Sequence, residues 1–121
     1  MAEYTTVVLV KKRVENIDAS LVDADIGAHI EEAEQILNAI MGASFLTGDT
    51  PGGFDVTKHG ILRAACNAYA AMVAIDFNPA GFTSLAEAVS IRGSLWDQWQ
   101  DLLERLKDKS IVAYLESLTA A

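Results

Sequence analysis

Two histidines, His29 and His59, one cysteine, Cys66, and a surplus of carboxylates are the stock from which this sequence could build a reactive centre. A metal ion needs several His, Cys or carboxylate ligands converging on one point. His29 and Glu32 stand three apart and can share a helix face. The Glu-x-x-His order that dinuclear helical bundles use twice is absent from the chain. Cys66 falls inside an apolar segment, where a thiol is ordinarily buried and inert. The glycine-rich "GDTPGG" at 48–53 lacks the Lys-Ser/Thr ending of a phosphate loop and reads as a turn. Acid pairs such as Asp23 and Asp25, or Glu31 and Glu32, sit where a helix start favours negative charge in any case. The residues therefore predict no catalytic constellation, no metal site and no cofactor.

Composition narrows the partners. With a formal charge of -8, the 121-residue chain is ill suited to gripping nucleic acid, whose affinity comes largely from Lys and Arg neutralising phosphates. An acidic wall would instead let a DNA backbone pass without sticking. The length suits one domain with a single core. One cysteine excludes an internal disulfide framework. The longest apolar stretch, "AACNAYAAMVAI" at 64–75, is interrupted by Asn67 and is shorter than the roughly 20 residues of a bilayer span. The amino terminus lacks the basic region of a secretory signal, so the expectation is a soluble protein without a membrane segment.

The elements that would position these residues are mainly helical. "TTVVLV" at 5–10 is the ambiguous piece: its β-branched residues suit a strand, while Val7, Val10 and Val14 have helical spacing. Asp23 or Asp25 can cap a helix through "IGAHIEEAEQILNAIMG", with Ile26, Ile30, Ala33, Leu37 and Ile40 on one face and Gly42 as the stop. Residues 43–54 form a loop rich in Gly and Pro. Beyond Asp55, a plausible cap, residues 56–77 read as a helix that is apolar or small on nearly every side, interrupted by Arg63, Asn67 and Asp76. Such a helix must be buried all round, and neighbouring copies of the chain would be one source of cover. Asn78-Pro79 and Gly81 end it. Residues 85–91 fit either a short helix or an extended arm.

The strongest periodicity lies in "SLWDQWQDLLERLKD", residues 94–108. With Ser94 as cap, Trp96, Trp99, Leu102, Leu103 and Leu106 form a stripe opposite a charged face. Aromatic residues at this spacing usually belong to a core, and two tryptophans near a helix start can also line a seam between subunits. The tail "IVAYLESLTAA" carries Ile111, Val112, Tyr114, Leu115 and Leu118, and either prolongs the helix or starts a separate docking segment.

The order of these pieces resembles a known family. "VKKRV", the Ile30, Ala33, Leu37 frame, the Gly42 to Phe45 exit, the glycine-rich loop, "ILRAACNAYAAMVAIDF", "EAVSIRGS" and "LWDQWQDLLERL" look like the head-tail connector proteins of tailed double-stranded-DNA bacteriophages, also called adaptor or head-completion proteins. The likeness covers roughly residues 5–108 and consists of spacing and residue class. It implies an all-α bundle of four to five helices with long loops (residues 1–109) and a docking tail (110–121), with 5–14 helical. It further implies a non-enzymatic virion protein that joins others in a homo-oligomeric ring, commonly of twelve subunits. The ring would sit in the neck at the capsid vertex, between the portal and the stopper or tail-completion protein, after assembly in the host cytoplasm, and would extend the DNA channel without sequence-specific binding. On that reading Tyr69, Met72, Leu85, Val89, Ile91, Trp96 and Trp99 are candidates for the subunit interface, and Ile111, Val112, Tyr114 and Leu115 for portal docking. The alternative is a small cytoplasmic α-helical regulatory module whose tryptophan face clasps one partner helix.

Overall fold

The computed structural model describes residues 3–13, 23–46, 48–49, 52–55, 57–77 and 85–119, side chains at several helix ends excepted. Five helices follow one another: α1 (Val7–Arg13), α2 (Asp23–Met41), α3 (Gly60–Phe77), α4 (Leu85–Leu106) and α5 (Lys109–Thr119). The fold is all-α. The segment whose local preferences were divided is helical from Val7, where Thr6 Oγ1 accepts the Leu9 N–H at 3.3 Å. Val14, one of the three valines of that pattern, lies outside the described residues.

Gly42 closes α2 as its position suggests. Its φ of 68° is the left-handed conformation that glycine adopts at no steric cost, and its N–H returns to the Asn38 carbonyl at 2.9 Å. The chain then makes a closed loop: Gly52 N–H donates to Ser44 O at 2.8 Å and Phe54 N–H to Phe45 O at 2.9 Å. These bonds turn Phe45 inward to complete burial.

Two boundaries differ from the pattern read in the sequence, and a third, which the pattern left open, is settled. Asp55 caps a turn and not the helix: its carboxylate accepts the Thr57 N–H at 2.9 Å, while His59 N–H donates to its carbonyl at 2.7 Å. The helix proper begins only at Gly60. Ser94 caps nothing, because α4 runs unbroken from Leu85 through Gly93 and Ser94. A glycine inside a helix costs only about 1 kcal/mol, and the packing of α4 along α3 offsets it. The tail neither prolongs α4 nor hangs free. Asp108 accepts the Ser110 N–H at 2.9 Å and its hydroxyl at 2.7 Å, capping a separate α5.

Helix α3 is the centre of the bundle, touching α1, α2 and α4. Leu62, Ala65, Cys66, Ala68, Ala71, Met72 and Ile75 are buried on successive sides of it. Its alanines let three helices approach closely. Most of the cover that an apolar helix demands is thus supplied within one chain, with Ile61, Tyr69 and Val73 left half-buried.

Candidate functional site

Helix α4 sorts its apolar residues between two faces. Inward point Leu95, Trp99, Leu103 and Leu106, which are buried. The indole of Trp99, 3% exposed, meets the ring of Tyr69 from α3 with centroids 4.9 Å apart. Tyr69 is half-buried and its hydroxyl donates to the Glu32 carboxylate, joining α3 to α2. Trp96, which the stripe pattern puts beside Trp99, is instead rotated outward and 41% exposed, with Leu95 taking the inward place. The reason is angular. Positions 95, 99, 103 and 106 are spaced by four, four and three and hold an arc about 80° wide, whereas 96 falls outside it, about 65° from its centre.

Outward, Val89 is 61% exposed and stands seven residues before Trp96, about 10 Å along the same side of the helix. Between them the Arg92 guanidinium lies over the Trp96 ring at 5.6 Å from its centroid. This geometry is that of a cation–π contact, which leaves the far edge of the indole open. Ile91 is half-buried and packs against the core, and Met72 is buried in the core. Of the interface candidates, then, Trp99 and Met72 are interior, Tyr69 and Ile91 are at the margin, and Val89 and Trp96 are on the surface. The Leu85 side chain lies outside the described residues.

The candidates on α5 divide in the same way. Val112 and Leu115 are buried against the bundle, Ile111 is half-buried, and Tyr114 is 63% exposed. His59 holds this helix in place. Its Nδ1 accepts the Asp55 N–H at 3.0 Å, which leaves the proton on Nε2, and Nε2 donates to the Leu115 carbonyl at 3.1 Å. A histidine fully committed in this way is structural. Among the described residues no three His, Cys, Asp or Glu side chains approach closely enough to hold a metal ion. Burial pushes the Cys66 thiol well above its ordinary range, and no helix among the described residues is long and apolar enough to cross a membrane.

The densest polar site was not foreseen. Residues 3–6 lie as a short arm, bent at Tyr4 and Thr5, against α2, α3 and the 43–55 loop, with Tyr4 completely buried. Glu34 Oε2 accepts the N–H groups of Glu3 at 2.6 Å and Tyr4 at 2.7 Å. Arg63 Nε donates to the Tyr4 carbonyl at 2.9 Å. The Tyr4 hydroxyl donates to Asn38 Oδ1 at 2.6 Å and accepts the Phe45 N–H at 2.9 Å. Thr5 Oγ1 donates to Asn67 Oδ1. The Tyr4 ring packs on Phe54 with centroids 5.1 Å apart, and Arg63 lies over the other ring of that pair, 5.7 Å from its centroid. Removal from water raises the Glu34 carboxyl above its ordinary value against the opposing pull of the two N–H donors. The same cause pushes the Tyr4 phenol up to about 12. The signals for this socket were Arg63 and Asn67, polar residues inside an otherwise apolar helix.

Comparison with protein-family models, with curated proteins and with solved structures gave no match in any of the three.

Proposed function

We propose that the chain is a structural virion subunit, a head-tail connector that assembles into a ring, commonly of twelve copies, between portal and stopper or tail. The observation that carries this reading is the outward stripe of α4. Val89 and Trp96 put apolar and aromatic surface on a helix whose inward face is already packed, and such residues gain most by being covered by another protein. The order of elements supports it too: a short first helix, an amphipathic second, a glycine-rich loop, an alanine-rich third and a tryptophan-bearing fourth follow the arrangement that the family likeness implies. The net charge of -8 suits a channel through which DNA slides without adhering. In this reading the subunit performs no catalysis. Tyr114 is the side chain of the tail that is open to a portal, and Val112 and Leu115 keep α5 seated behind it.

The experiment is to mix the purified chain with a portal protein of the same genome and weigh the product by native mass spectrometry. Addition in a fixed cyclic stoichiometry, lost on Trp96→Ala, is the expected result. A stable one-to-one complex with a single helical partner, and no portal binding, would replace this reading with that of a regulatory binding module.

A further inference from the structure

We propose that residues 3–13 are an exchangeable arm, able to leave the socket of their own chain and fill the same socket on a second copy. The inference concerns contacts between copies of this chain and stands whether or not a portal is the partner.

The socket reads its occupant as a binding site reads a peptide. The Glu34 carboxylate takes two successive backbone N–H groups, Arg63 takes the next carbonyl, and the tyrosine enters a pocket whose far end supplies both an acceptor, Asn38, and a donor, the Phe45 N–H. Asn67 meets the following threonine. Main-chain bonds give affinity and the side-chain pocket gives selectivity, the division of labour seen in peptide recognition generally. The occupant that satisfies every one of these groups is the segment Glu3-Tyr4-Thr5, which each copy of the chain carries.

The arm is also separable. The bonds described for Glu3, Tyr4 and Thr5 all reach residues 30 to 62 positions away in sequence. Helix α1, which continues the arm, lies on α2 and α3 and has an exposed Val8. Covalent geometry lets the chain between Arg13 and Asp23 reach up to about 30 Å, comparable to a domain diameter. Docking within one copy and docking in the next make the same contacts, so the balance between them is set by proximity and by the connection, which is why exchange of identical elements is a low-cost route to oligomers. Reciprocal exchange gives a dimer; exchange passed from each copy to the next gives a closed ring or an open chain.

Disulfide trapping tests the arm directly, in full-length chains carrying Cys66→Ala. Thr5→Cys is made in one chain, Asn67→Cys in another, and both in a third, because these two side chains meet where the arm enters the socket. The third chain should close within itself when dilute. The first two, mixed, refolded together at high concentration and oxidised, should give a covalent heterodimer well above the half share of covalent dimers that random thiol pairing produces. That share should rise with concentration. Closure of the double variant with only random pairing in the mixture would overturn exchange. Failure of the double variant to close would overturn the socket itself. Neither result bears on portal binding.

Discussion

Trp99 and Trp96 stand three residues apart on α4 and belong to different environments, one against Tyr69 in the core and the other under Arg92 at the surface. Truncating a buried aromatic removes packing and leaves a cavity, so Trp99→Ala should destabilise the fold by about 3–5 kcal/mol, read by chemical denaturation. Trp96→Ala should cost less than about 1 kcal/mol and leave the circular dichroism spectrum unchanged, while weakening assembly. Equal losses of stability from the two would remove Trp96 as an assembly residue.

The Tyr4 hydroxyl both donates and accepts inside the bundle. Tyr4→Phe keeps the ring and strands a buried acceptor and a buried backbone donor. The expected loss is about 1–3 kcal/mol, with faster hydrogen exchange at the Phe45 amide. An unchanged Phe45 exchange rate would mean that water replaces the phenol without cost.

Glu34 gives a pH signature of definite sign. Its carboxyl titrates above the ordinary 4.5 in the folded chain because it is buried, so the fold binds its proton more tightly than the unfolded chain does. The stability this contributes is full below about pH 4.5 and is lost as pH rises through the folded value. Glu34→Gln keeps an acceptor for the arm N–H groups without the charge. Measured against that variant, the native chain should therefore lose ground as pH rises from about 4.5 through the folded value. A stability difference that stays constant over this range would show that Glu34 titrates normally.

His59 ties the turn before α3 to the second turn of α5. His59→Ala should cost about 2–4 kcal/mol, the combined effect of a cavity and an unpaired carbonyl. Hydrogen exchange should locate the damage, with protection falling in α5 before α2. Uniform loosening of all five helices would mean that α5 has no separate unfolding step.

Much of this architecture was legible in one dimension. The face of α2, its glycine stop and the breadth of the apolar circumference of α3 all follow from residue spacing, and the structure has them as read. What misled was local punctuation. Asp55 and Ser94 have the chemistry of helix caps, but a histidine reaching back locked the first into a turn, and packing along α3 carried α4 through the second. Periodicity alone could not separate Trp96 from Trp99, because two tryptophans three apart share a stripe only until a leucine one position earlier takes the inward place. The arm socket was hidden for a different reason. Its partners are drawn from residues 3 to 67, and no window of sequence contains more than a fragment of it.

That separation has a consequence for synthesis. A chain grows from its amino terminus at about 5–20 residues per second, so Thr5 leaves the ribosome about 3–12 s before Asn67 does. Until then no socket exists, in its own chain, for the tyrosine to enter. Where several chains are translated together from one message, the first complete socket that a young arm encounters can be on an older sibling.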